Sequence, residues 1–148
     1  MFCGRYTHNL DAKGRLTIPA TFREHTPEDL VYITKGFDKN LAGYSKDGYK
    51  HLVQSIVGKP ITDPNVRDFK RDIIGNTFIL TYDSAGRILI PAILRELAGI
   101  EGQAVIVGVG DCMEIWDPKR LDDKEKGLSE PDPNQDRWNN INVTTRGF

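Results

Sequence analysis

The sequence predicts a mainly β protein with short helices, an α+β fold built from two tandem copies of one small unit. Two observations lead there. Residues 11–24, DAKGRLTIPATFRE, align without gaps on residues 83–96, DSAGRILIPAILRE, at an offset of 72, with eight of fourteen positions identical. Around each copy, short apolar or alternating runs bounded by Asp, Gly and Pro read as strands joined by tight turns. Self-similarity at a fixed period is the mark of a repeated structural unit. The same offset superposes Ile33 on Val105, Gly36 on Gly108 and Tyr44 on Trp116, so the duplication spans most of the 148 residues.

Each copy opens on a strand, RYTHNL or FILTY. Asp11 and Asp83 then begin a type I turn, with the carboxylate accepting from backbone N–H groups. Gly14 and Gly86 supply the left-handed position that follows. A second strand, RLTI or RILI, ends at Pro19 or Pro91, because proline lacks the amide that a continuing ladder uses. ATFRE and AILREL then read as short helical turns.

LVYITKG with LAGYS, and QAVIVGVG with CMEIWD, supply further strands. Ser45 and Asp117 stand at helix N-cap positions, with Pro118 just inside the second. Tyr49, Leu52, Val53 and Ile56 share one helix face, and Val66, Phe69 and Ile73 continue the pattern after the break GKPITDP. The expected organisation is a first unit over 1–60, a linking helix over 61–75, a second unit over 76–128 and a polar tail over 129–148. In that tail Trp138 and Ile141 stand at helical spacing. A unit of about 70 residues buries too little surface to be comfortable alone. The copies are therefore expected to fold together about a pseudo-twofold axis, with residues 5–57 and 77–128 superposing.

Hydrophobic residues at 39% and charged residues at 28% lie near globular averages. No apolar run approaches the ~20 residues that cross a bilayer, and the first residues lack the apolar core of a signal peptide, so a cytoplasmic protein without a membrane partner is expected. Cys3 and Cys112 are too few and too far apart for a disulfide framework, and both are expected to be free, buried thiols. His8, His25 and His51 are scattered, which excludes a spaced metal site. Gly108-Val109-Gly110 lacks the third glycine and the helix of a dinucleotide fingerprint. Asn142-Val143-Thr144 matches a glycosylation sequon, which carries no meaning without a secretory signal. No nucleophile stands in a recognisable elbow, so no catalytic group, cofactor or metal is expected.

A net charge of −1 is unlike the bulk positive charge of many nucleic-acid binders, yet residues 1–25 carry four basic side chains against two acidic ones. An anion-binding surface is expected near the first turn, with Lys13 as a phosphate contact that Ala85 does not reproduce in the second copy. Two readings stand for Arg15 and Arg87. Their planar donor forks suit phosphate or a guanine edge, and a two-stranded β-ribbon fits the major groove. Alternatively, each arginine pairs with the aspartate four residues before it and stabilises the hairpin. Arg23–Glu24 and Arg95–Glu96 read as structural ion pairs.

The segments MFCGRYTHNLDAKGRLTIPATFRE, FILTYDSAGRILIPAILRELAGI and VGDCMEIWDPKRL closely resemble MraZ proteins over about residues 1–128. The resemblance implies two swapped-hairpin AbrB-like units of the SpoVT-AbrB kind, with a double-ψ-type topology forming a pseudo-twofold β-barrel. Each carries a D-x-x-x-R motif, here Asp11 with Arg15 and Asp83 with Arg87. It further implies a nucleoid-associated, sequence-specific DNA-binding regulator of the division and cell-wall gene cluster, commonly a repressor. Its partners would be double-stranded promoter DNA with direct repeats, and further copies of itself in a ring-shaped homo-oligomer. A protein that uses the same fold to hold a protein partner is the alternative class.

Overall fold

A computed structural model describes residues 1–129 and Ile141; the expectations for the tail, Trp138 included, lie outside the described residues. The first copy contributes strands β1 (Phe2–Asn9), β2 (Arg15–Thr17), β3 (Leu30–Lys35) and β4 (Leu41–Tyr44), with helices α1 (Ala20–Arg23) and α2 (Lys46–Val57). Helix α3 (Pro64–Ile73) follows. The second copy repeats the order as β5 (Thr77–Thr81), β6 (Arg87–Leu89), α4 (Ala92–Ala98), β7 (Gln103–Gly110), β8 (Met113–Trp116) and α5 (Pro118–Ser129). The expected elements are all present.

Strand pairing crosses between the copies. Six strands form an antiparallel sheet in the order β1-β7-β8-β4-β3-β5, and β2 pairs with β6 in a separate ribbon. Exchanging each strand for its counterpart in the other copy turns the sheet order into its own reverse, so the topology has a twofold between β4 and β8. Each copy lends its first strand to the other: Phe2–Asn9 pairs with Gln103–Gly110, and Thr77–Thr81 pairs with Leu30–Thr34. An exchange of first strands between the copies is therefore observed. The implied barrel is not: among the described residues no ladder joins β1 to β5, and the six strands form an open sheet.

Alternation along the strands builds the core. Val31 and Ile33 are fully buried on β3, as are Leu16 on β2, Ile88 on β6 and Ile106 on β7, and Phe22 of α1 and Leu94 of α4 close over them. Burying side chains of this size contributes roughly 1.5–3 kcal/mol each. Because both copies supply these residues to one cluster, neither can complete its core alone. Residues 1–118, with both D-x-x-G-R turns, form one unit, and residues from Lys119 onward belong to a second. In the latter, α5 carries a solvent-exposed Asp122–Lys126 pair at 3.2 Å, one turn apart.

The helix starts follow their caps. Ser45 Oγ accepts from the Gly48 N–H at 3.0 Å, and Asp63 Oδ1 accepts from the Asn65 N–H at 2.9 Å ahead of Pro64. The face predicted for α2 is half-buried at Tyr49, Leu52 and Val53 and buried at Ile56, and the Tyr49 hydroxyl donates to Thr77 Oγ1 at 2.9 Å.

The cysteines correct one expectation. Both are free, but only Cys112 is buried. Phe2 points into the core at 4% exposure, so the next residue on the strand, Cys3, faces outward. Burial pushes the Cys112 thiol up to about 11, against a lowering by its hydrogen bond with Tyr44. At pH 8 a disulfide-exchange reagent is expected to titrate Cys3 rapidly and Cys112 only on unfolding; two equally fast thiols would contradict this packing.

Candidate nucleic-acid interface

The two D-x-x-G-R segments fold into the same turn. In the first, Asp11 Oδ1 accepts from the N–H groups of Lys13 at 3.0 Å and Arg15 at 2.9 Å. The Gly14 N–H donates to the Asp11 carbonyl at 3.0 Å, and the Asp11 N–H donates to the Arg15 carbonyl at 3.1 Å. In the second, Asp83 Oδ1 accepts from Ala85 and Arg87, both at 2.9 Å, with the backbone pattern repeated. Gly14 at φ 89° and Gly86 at φ 74° occupy the left-handed region that side chains other than glycine's rarely enter.

The strands leaving these turns pair with each other. Arg15 stands opposite Leu89, Leu16 opposite Ile88, and Thr17 opposite Arg87. Period-two alternation puts Leu16 and Ile88 inward, both at 0% exposure. Arg15, Thr17, Arg87 and Leu89 therefore share the outward face. Two arginines from sequence positions 72 apart are thus brought onto one short antiparallel ribbon.

Each arginine also has the aspartate partner that the second reading gave it. Arg15 Nε donates to Asp11 Oδ2 at 2.5 Å and Arg87 Nε to Asp83 Oδ2 at 2.8 Å. Arg87 Nη1 also stands 3.7 Å from Asp11 Oδ2, so the Asp11 carboxylate faces arginines of both copies. The arginine side chains keep 34% and 32% exposure, which leaves them reachable while held. Lys13 is exposed at the first tip, and Ala85 occupies its place at the second.

The backbone N–H of Arg15 is the main influence holding the Asp11 carboxyl down at about 2. Desolvation opposes it, and the Arg15 side chain, the Lys13 N–H and the Arg15 charge reinforce it. Asp83 is lowered in the same way, first by the Arg87 N–H. A carboxylate whose folded value lies below its ordinary 3.8 stabilises the fold fully above that value and loses this contribution as pH falls through about 2. A carbon-detected NMR titration is expected to place the Asp11 midpoint near 2; an ordinary carboxylate midpoint would mean that the turn does not hold it.

Arg23 and Arg95 depart from expectation. Their Nε groups donate to the carbonyls of Ile18 and Ile90, both at 3.1 Å, and among the described residues no ion pair joins them to Glu24 or Glu96. Each guanidinium lies over the tip glycine of the other copy: a Cβ at Gly14 would stand 2.7 Å from Arg95 Cζ, and one at Gly86 would stand 2.6 Å from Arg23 Cζ. Their duplication at offset 72 was the only sequence signal that they share a role. The histidines come together nowhere as a metal site: among the described residues no group of three or more His, Cys, Asp or Glu side chains could hold an ion. His25 instead packs on the Phe2 ring at 5.5 Å.

The sequence matches the family described as "MraZ protein, putative antitoxin-like" twice, over residues 1–72 and 73–138. It is similar to the transcriptional regulator MraZ of Thermomicrobium roseum, 42% identical over 119 residues that cover 80% of this chain and 83% of that protein. A Roseiflexus protein of the same name is 42% identical over 120 residues, covering 81% and 83%, and one from Alkaliphilus oremlandii is 44% identical over 116 residues, covering 78% and 80%. These relatives place the duplicated β fold in a family of transcription regulators, not enzymes. The chain belongs to the MraZ family.

Proposed function

We propose that this chain is a sequence-specific binder of double-stranded DNA that represses the division and cell-wall gene cluster. In this reading it is a nucleoid-associated cytoplasmic protein and acts as a ring-shaped homo-oligomer on direct promoter repeats. Its two AbrB-like units are residues 1–60 and 76–128, joined by the 61–75 helix, and its DNA contacts are Arg15, Arg87 and Lys13. The observation that carries the reading is the outward face of the β2–β6 ribbon, where two arginines, each about one-third exposed, stand on paired strands narrow enough for a major groove. A guanidinium has five N–H donors, and the aspartate takes the Nε donor of each arginine. The carboxylates therefore act as orienting groups, fixing each arginine before DNA arrives and reducing the side-chain entropy lost on binding.

A subunit of net charge −1 neutralises few phosphates, so single-site affinity is weak and linkage of several sites in one assembly raises it by about 10²–10⁴. Fluorescence anisotropy with the promoter duplex upstream of the chain's own gene, against a scrambled duplex, tests this across a salt series. Binding is expected to weaken steeply with salt. Arg15→Ala and Arg87→Ala are each expected to cost about 1–3 kcal/mol with little change in thermal stability. A half-turn insertion between boxes is expected to weaken binding strongly, because it rotates one box to the far side of the duplex. Parent-like DNA binding by both arginine variants would remove the ribbon from recognition.

A further inference from the structure

The two hairpin tips are not held by their own copies alone. At the first tip, the Gly14 carbonyl accepts from the Ile90 N–H at 3.1 Å, and the Arg95 guanidinium covers its Cα. At the second, the Gly86 carbonyl accepts from the Ile18 N–H at 3.0 Å, and the Arg23 guanidinium covers its Cα. Both glycines are buried in a turn whose flanking residues are exposed or half-buried, because an arginine from the other copy lies on each. The same arginines are tied to their own copy through the Ile18 and Ile90 carbonyls, one residue before the prolines that end β2 and β6. Each is therefore a strut from the strand end of its own copy to the turn of the other.

Resting on the DNA-binding reading, we propose that Arg23 and Arg95 are positioning residues that make the two tips one reader, with crossed control. Arg95 sets the pose of Arg15 and Lys13 in the first copy, and Arg23 sets the pose of Arg87 in the second. The physical reason is separation along the chain. A turn of four residues has its internal hydrogen bonds but nothing local to fix its tilt relative to a turn 72 residues away. A planar guanidinium, bonded at Nε and lying over a bare Cα, resists tilt in a way a lysine ammonium on a flexible stem does not. Because recognition tolerates only small misplacement of a donor fork, a tilted tip loses affinity even where its arginine is intact.

Crossed double-mutant cycles on the full chain test this, with anisotropy on a fluorescein-labelled duplex of the promoter upstream of its own gene. Arg95→Gln with Arg15→Ala, and Arg23→Gln with Arg87→Ala, are expected to be non-additive by at least about threefold in Kd, whereas Arg95→Gln with Arg87→Ala and Arg23→Gln with Arg15→Ala are expected to be additive. In the free protein, Arg95→Gln is expected to move the Gly14 amide resonance more than that of Gly86, and Arg23→Gln the reverse. If either glutamine variant fails to fold, Arg95→Lys and Arg23→Lys replace it, with the same crossed pattern expected because lysine keeps the charge but not the planar cover. Coupling that is equal within and between copies, or strongest within a copy, overturns the proposal while leaving DNA binding in place. Parent-like binding by Arg15→Ala and Arg87→Ala overturns the reading of the ribbon, and the crossed control with it.

Discussion

Gly14→Ala is expected to lower the stability of the protein by about 2–4 kcal/mol, a fall in the unfolding midpoint of roughly 5–10 °C. Two costs combine. A side chain at φ 89° is strained wherever it stands, by about 1–3 kcal/mol. The added Cβ would also stand 2.7 Å from both Cζ and Nε of Arg95, so the guanidinium must shift, which strains its bond to the Ile90 carbonyl. Arg95→Ala removes the second cost but not the first. The double variant is then expected to be less unstable than the two single effects combined. Differential scanning calorimetry of the four proteins decides it, and a Gly14→Ala midpoint within a degree of the parent would show that the tip is not packed as described.

Leu16→Ala is expected to cost about 2–5 kcal/mol, since it empties space beneath the ribbon at a fully buried position. Its neighbour provides the contrast. Arg15→Ala, one residue earlier on the same strand, removes an exposed-face side chain, and the loss of its partly exposed ion pair with Asp11 contributes little to stability. Urea unfolding followed by far-ultraviolet circular dichroism is expected to show a large drop in midpoint for Leu16→Ala and a small one for Arg15→Ala. Equal drops would mean that the inward and outward faces of β2 have been assigned to the wrong residues. The pair of variants separates the two duties of this ribbon, which bury one side chain and present the next.

Much of the site was legible because its determinants are local. Asp11, Gly14, Asp83 and Gly86 specify their turns through hydrogen bonds spanning four residues or fewer, and such bonds leave a compositional trace. Leu16 between Arg15 and Thr17 shows its face by alternation alone. The ambiguity over Arg15 and Arg87 was real: the aspartate four residues earlier does pair with each, and that pairing coexists with an outward position on the ribbon.

The sequence by itself determined the repeat, the two turns, the prolines that end β2 and β6, and the cap at Ser45, all of them short-range. Only the tertiary structure decided which strand pairs with which. Pairing β1 with β7 and β5 with β3, instead of each within its own copy, follows from a shared core to which both copies contribute, and no residue pattern along one strand encodes its neighbour. The same exchange placed Arg95 over Gly14 and Arg23 over Gly86, brought Arg87 within 3.7 Å of Asp11, and left the sheet open between β1 and β5. The outward turn of Cys3 followed from Phe2 taking the inward position on β1. Contacts between residues this far apart in sequence form only when the whole core closes, because only then does burial offset the entropy of ordering the chain between them.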